Sequence, residues 1–244
     1  MQLDAADLAD FYEAPLGLLT RRIIARQMRV LWPSARGTCL LGYGFAVPYL
    51  RQFQAEAERV VALMPAQQGV VAWPPARSLT ALGDEAALPF PDAFFDRILV
   101  VHGLEGADGA RPLLRQLWRV LAPEGRLLLV APNRTSLWAQ LDRSPFGIGR
   151  PFSRGELDRL LRGALFEPLA WDRALYMPPF RGRRLVRTGL GWDRVLKRIA
   201  PGIAGVHLVE AGKTFYGAAP VRVGKTVSQW SPAREVQATM RTDR

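Results

Sequence analysis

Cysteine and histidine are nearly absent from this chain. Its 244 residues include one cysteine, Cys39, and two histidines, His102 and His207. A single thiol excludes an internal disulfide, and so few nitrogen and sulfur ligands argue against a dedicated zinc site. Cys39 lies in the apolar run Thr38-Cys39-Leu40-Leu41 and reads as a small buried hydrophobe. No apolar run approaches the roughly 18–20 residues that span a bilayer. The opening residues lack the basic-then-apolar order of a secretory leader; Asp4, Asp7, Asp10 and Glu13 make them acidic. The expected compartment is therefore the cytoplasm. Lysine is scarce as well: Lys197, Lys213 and Lys225 are the only three among 33 basic residues.

What is present suits one large α/β domain with an added element. Hydrophobic residues make up 49% of the chain, enough for a core that needs no metal or disulfide. The net charge of +11 is unevenly spread. Residues 1–110 hold 9 Arg against 12 acidic residues, and residues 111–244 hold 24 Lys+Arg against 10. A basic second half suits a polyanionic partner, such as nucleic acid or anionic lipid. Arginine loaded onto an ordinary surface by coding bias is the plainer alternative.

Apolar periodicity sets the order of elements. Leu18, Leu19, Ile23, Ile24, Met28 and Leu31 recur at helical spacing, with Arg21, Arg22, Arg26 and Arg29 mainly opposite. Residues 1–35 thus form an N-terminal helical segment ending at Trp32-Pro33. Strands are expected at Thr38–Leu41, Val60–Leu63, Leu79–Leu82, Phe95–Val101 and Leu127–Val130. Helices are expected at Val47–Glu56, Pro112–Leu121 and Ser153–Arg162, the last opened by a Ser153/Glu156 capping box. Leu169–Leu175 and Val206–Lys213 complete the strands. Continuous apolar strands alternating with helices imply a mostly parallel, Rossmann-like sheet of seven strands, covered on both faces. The domain is expected over 36–219, with a helical insertion at 176–205 and a flexible tail at 220–244.

Three segments carry chemistry. Leu41-Gly42-Tyr43-Gly44-Phe45-Ala46 is a glycine turn between a strand and a helix, where the backbone can approach a ligand. Gly83-Asp84-Glu85 leads through Leu88-Pro89-Phe90 to Phe95-Asp96 and the fourth strand. Arg119-Val120-Leu121-Ala122-Pro123-Glu124-Gly125 leads into the fifth. In this order and spacing they resemble the small class I S-adenosylmethionine-dependent methyltransferases, over about residues 36–170. The resemblance implies S-adenosyl-L-methionine as cofactor, lying across the carboxyl ends of the strands. Carried over, Gly42, Tyr43, Gly44, Phe45 and Ala46 would face its methionine part and Asp84 and Glu85 its adenine. Val101 and His102 would line the transfer pocket. His102 would orient or deprotonate an acceptor, or simply fill space. In-line methyl transfer mainly needs positioning, so no universal catalytic residue is implied.

The chain departs from that pattern at three places. Leu40 stands where the family has an aspartate, Ala46 where it has a third glycine, and Met64 at the end of strand two in place of the ribose-binding acid. Methionine is a poor acceptor for ribose hydroxyls. Two functions follow: a methyltransferase of unknown acceptor, or a catalytically inactive relative serving as a binding partner or scaffold. No Asn-Pro-Pro-Tyr-type motif follows strand four, where Val101-His102-Gly103-Leu104 stand, and no cysteine pair is available for a covalent base adduct. In the insertion, Arg181–Arg198, Leu185, Gly189, Trp192, Leu196 and Ile199 share one helical face. Arg183, Arg184, Arg187, Arg194, Lys197 and Arg198 crowd the rest. Such a helix would contact nucleic acid or an anionic membrane, cap the site as a lid, or pack with a solvated basic face.

Overall fold

The computed structural model describes residues 4–141, 144–179 and 183–214, and the expected tail at 220–244 lies outside them. A seven-stranded sheet organises these residues, in the order β3-β2-β1-β4-β5-β7-β6. The strands are β1 Cys39–Gly44, β2 Arg59–Pro65, β3 Thr80–Gly83, β4 Phe95–Val101, β5 Leu121–Pro132, β6 Phe166–Ala174 and β7 Val206–Lys213. The first five pair in parallel, and β7 runs antiparallel to both β5 and β6. The expected Rossmann-like sheet is therefore the architecture found. Chain order reverses between β1 and β4, which places a crevice at their carboxyl ends.

Helices α1 Ala5–Glu13, α2 Pro15–Leu31 and α3 Val47–Leu50 lead the chain, followed by α4 Ala110–Val120, α5 Leu137–Gln140, α6 Arg154–Gly163 and α7 Arg183–Ile199. Pro15 occupies the first turn of α2, where its missing N–H costs nothing. Leu16, Leu19, Ile23, Ile24 and Met28 form the buried stripe of α2. They join one core layer with Leu8 and Tyr12 of α1 and with Leu40, Leu99 and Leu128 of the sheet. The opposite layer packs Leu113, Leu114 and Leu117 of α4 and Leu157 and Leu161 of α6 against Leu41, Ile98 and Leu127. The Ser153/Glu156 capping box is formed in both directions at the start of α6.

Two expectations about local structure change. The strand expected at Thr38–Leu41 continues to Gly44, so the turn begins at Phe45, three residues later than expected. The helix expected over Val47–Glu56 stops after Leu50 and continues as turns, with Phe53 N bonded to Leu50 O and Glu56 N to Phe53 O. The Arg29 guanidinium donates to the Gln52 carbonyl and pairs with Glu56, drawing that segment towards α2.

The Leu-Pro-Phe and Arg-Val-Leu segments turn out to be mechanically joined. Arg119 donates to Leu88 O at 2.8 Å, Phe90 O at 2.9 Å and the Asp92 carboxylate at 2.7 Å. One guanidinium thus clamps the loop that feeds β4 onto α4.

His207 of β7 lies opposite Ala131 of β5 and Arg173 of β6, almost fully buried. Burial, then Arg173 and Arg154, push its imidazole down from 6.5 to about 4. The native state therefore holds His207 neutral while the unfolded chain protonates below pH about 6.5. Its contribution is full above that pH and is lost as pH falls towards 4. Thermal denaturation across pH 7 to 4 should show a decline that flattens in His207→Leu. An unchanged slope in the variant would mean that another group titrates.

Candidate functional site

The carboxyl ends of β1, β2 and β4 bring Gly44, Met64, Val101 and His102 to one edge of the sheet. Gly44 is paired with Val101, and Tyr43 with both Leu63 and Val100. Gly44 has φ +75°, and a Cβ there would stand 2.4 Å from the Val101 carbonyl oxygen. The two strand ends thus meet backbone to backbone, which only glycine permits. Phe45 and Ala46 turn into the layer beneath α1 and α2, whereas Tyr43 points to the opposite layer. Met64 is fully buried in the α1–α2 layer and offers no polar group at the end of β2.

His102 follows β4 directly, in the left-handed region at φ 50°. Such a backbone is uncommon for a side-chain-bearing residue and is often found at functional sites. Its ring is almost fully buried in a chain of polar contacts. Nδ1 lies 3.1 Å from Glu105 Oε1, and Nε2 lies 2.8 Å from the Tyr12 hydroxyl, which in turn lies 3.0 Å from the Tyr49 hydroxyl. A carboxylate only accepts, so Nδ1–H donates to Glu105, and in the neutral ring Nε2 accepts from Tyr12. Burial, reinforced by Tyr49 and Glu105, raises the Tyr12 phenol well above its ordinary value and keeps its proton in place. The chain then runs one way: Tyr49 to Tyr12 to His102 to Glu105. Phe45 stacks on Tyr12 with ring centres 6.0 Å apart, and Phe146 lies 4.8 Å from the His102 ring.

Around the same strand end, three buried polar atoms have no hydrogen-bond partner among the described residues: Tyr43 Oη, Gln68 Oε1 and Glu105 Oε2. Gln68 closes a short 3₁₀ turn just after β2 and donates Nε2–H to the His102 carbonyl at 3.0 Å. Its other amide atom has no hydrogen-bond partner among the described residues. Burial first, then Glu85 and Asp84, raise the Tyr43 phenol. Asp84 and Glu85 follow β3, where Asp84 accepts from Ala86 N and Glu85 from Asp108 N. Orphaned buried polar groups are costly unless something completes them. Beside Tyr12, a cavity of about 240 Å³ opens between α1, the β1–α3 turn and the 71–75 loop. Its walls include Phe45, Val71 and Trp73, with the guanidinium-bearing Arg21 and Arg51.

The residues expected at the cofactor site therefore divide. Gly42, Gly44, Val101 and His102 share the β1/β4 edge, with Phe45 and Ala46 in the turn above it. Tyr43, Asp84 and Glu85 gather on the opposite side of that edge. Tyr12, Gln68, Glu105, Arg21 and Arg51 were not singled out by sequence reasoning. The spacing His102-x-x-Glu105 was the one visible signal; the others reach the site only through folding. Pro132-Asn133-Arg134 after β5 holds structure together: Asn133 Nδ2 donates to Ala204 O at 2.7 Å, and Arg134 pairs with Glu156 at 3.0 Å. Among the described residues, no group of three or more His, Cys, Asp or Glu is placed to hold a metal ion.

The parallel sheet, its reversal at β1/β4 and the glycine-sealed edge define a class I methyltransferase fold. Residues 40–129 match the family model described as a methyltransferase domain. By that fold and that stretch of sequence, the chain is similar to the class I S-adenosylmethionine-dependent methyltransferases. A 44-residue stretch is 50% identical to a ubiquinone/menaquinone biosynthesis C-methyltransferase UbiE of Pectobacterium carotovorum, covering 18% of this chain and 18% of that protein. The match thus spans about a fifth of the relative's length. Among solved structures, the chain is similar to a Haloferax volcanii methyltransferase in complex with the Trm112 methyltransferase activator. That likeness has a TM-score of 0.61 and 16% identity over 86% of this chain and 97% of the other. It is also similar to the Burkholderia thailandensis 1,6-didemethyltoxoflavin-N1-methyltransferase with bound 1,6-didemethyltoxoflavin and S-adenosylhomocysteine. Here the TM-score is 0.53 and the identity 17%, over 86% and 87% of the two chains.

Proposed function

We propose that this chain binds S-adenosylmethionine at the edge formed by β1, β2 and β4 and transfers its methyl group to an acceptor still to be identified. The observation that carries this reading is the set of unpartnered buried atoms around that edge, Tyr43 Oη, Gln68 Oε1 and Glu105 Oε2, inside a methyltransferase fold. The cofactor, when bound, supplies an electrophilic methyl on a sulfonium. Gly42, Gly44 and Ala46 would line its amino-acid part. Arg21 or Arg51 would pair with its carboxylate. Gln68 Oε1 would accept from a ribose hydroxyl, in part replacing the acid that Met64 lacks. Asp84 and Glu85, beside Tyr43, would face the adenine. His102, oriented by Glu105, would hold or remove the acceptor's proton at Nε2.

Tyr12 favours a second reading, a catalytically inactive relative that serves a protein partner. It occupies the Nε2 position that an acceptor would need, and the cavity beside it is smaller than the roughly 300–1,000 Å³ of most small-molecule sites. Methyl transfer with His102 as the base would therefore require α1 to yield at Tyr12.

Calorimetric titration of the full chain with S-adenosylhomocysteine separates the two. Saturable one-to-one binding is the expected result. Absence of binding to well-folded protein would sink the enzyme reading, and binding by Tyr12→Ala alone would favour the inactive one.

A further inference from the structure

Helix α7 is turned differently from the face its sequence suggests. Gly189, rather than the larger apolar residues, makes the closest approach to the body. A Cβ there would stand 2.4 Å from Leu19 Cδ2 and 2.9 Å from Met177 Sδ. One turn on, the Asp193 carboxylate accepts from Tyr176 N at 2.7 Å and Met177 N at 3.4 Å. The inward row therefore runs through Gly189 and Asp193. Trp192 and Ile199, which share a helical face with Gly189 in the sequence, lie outside that inward row. They are 53% and 74% exposed, and Val195 between them is 47% exposed. Spaced three and four residues apart, the three side chains form one ridge on the helix surface. Ile203, just beyond the helix, is also partly exposed.

The charge around this ridge has one sign. Arg194, Lys197 and Arg198 stand on the same two turns and are exposed. Asp193 is the only acid in α7, and it is committed to the backbone of Tyr176 and Met177. Arg194 and Lys197 also line a groove against α2, with Arg26. Lys197 pairs with Asp172 at 3.6 Å, and Arg194 and Arg198 remain as exposed cations beside the ridge. An aromatic and aliphatic ridge beside exposed arginines is the chemistry of a helix lying in a lipid headgroup layer. A protein partner fits less well, because interface cores are depleted in charge. A second copy of the chain would bring like charges together. Nucleic acid would use the cations but leave Val195 and Ile199 without a role.

We propose that α7 is a docking surface for anionic phospholipid. Trp192, Val195 and Ile199 enter the boundary between headgroups and acyl chains, and Arg194 and Arg198 meet lipid phosphates. Contact is from one side, since no helix among the described residues is long and apolar enough to cross a membrane. This surface does not depend on cofactor binding at the β1/β4 edge.

The test is co-sedimentation of the full chain with vesicles of phosphatidylcholine, alone or mixed with phosphatidylglycerol. Binding should require the anionic lipid and fall steeply with added salt. The double variant Trp192→Ser/Ile199→Ser should lose about tenfold or more in partitioning. Its melting temperature should be unchanged, because neither side chain packs in the core. Equal binding to neutral vesicles, or no binding at all, overturns the proposal. So does full binding by the double variant. Salt-sensitive RNA binding that the double variant retains, without vesicle binding, would assign the cations to nucleic acid. Concentration-dependent dimerisation that the double variant abolishes would assign the ridge to a second copy.

Discussion

Gly44→Val should lower the melting temperature by about 4–20 °C. Residues at positive φ cost about 1–2 kcal/mol when they carry a side chain, and β-branched ones tolerate it worst. The new Cβ would also press on the Val101 carbonyl at 2.4 Å and on the Gly103 backbone at 2.8 Å. Those atoms cannot rotate away, so the end of β4 must move, adding about 1–3 kcal/mol of overpacking. A total of about 2–5 kcal/mol corresponds to roughly 4–20 °C in a domain of this size. Gly42 is the control. A Cβ there meets Leu50 Cδ1 at 2.6 Å, but that is the tip of a flexible side chain. Gly42→Ala should therefore cost much less. Equal losses at the two positions, read by scanning calorimetry, would show that backbone closure at β1/β4 is not what Gly44 provides. Substitution at Gly44 therefore perturbs the fold as well as any binding, so it cannot serve as a clean probe of the cofactor site.

Gln68→Leu is the cleaner probe, and S-adenosylhomocysteine affinity should fall about ten- to a hundredfold. Leaving a ribose hydroxyl buried without its acceptor costs about 1–3 kcal/mol. The variant also deprives the His102 carbonyl of its 3.0 Å donor, so some stability is lost as well. The two effects separate because affinity is measured well below the melting temperature. Retained affinity in Gln68→Leu would mean that the ribose end lies elsewhere, while loss of stability alone would leave Gln68 a purely structural residue. Either outcome bears on the binding position without deciding the acceptor.

Much of the scaffold is legible in the sequence. Phe95–Val101 stands out because it ends in the continuous apolar run Ile98-Leu99-Val100-Val101, whose length suits a buried strand better than a helix. The Ser153/Glu156 box is local and needs only three residues to be recognised. The pairing of Leu88-Pro89-Phe90 with Arg119 is visible as two motifs, but not as one clamp, since Arg119 spans a loop and a helix to reach three acceptors. The turn at Val47–Glu56 reads as helix because periodicity does not register Arg29, which arrives from α2 to claim the Gln52 carbonyl.

By itself, then, the sequence determined the sheet, its parallel core and the methyltransferase-like order of segments, because each rests on short-range patterns of apolar and turn residues. The tertiary structure decided the rest. It placed Tyr12 against His102 across ninety residues of chain, left Gln68 Oε1 unpaired beside them, and turned Gly189 rather than Trp192 into the body. Those outcomes depend on how closely whole helices approach the sheet. A small residue lets backbone draw near, and a buried polar group must find a partner wherever the fold happens to bring one.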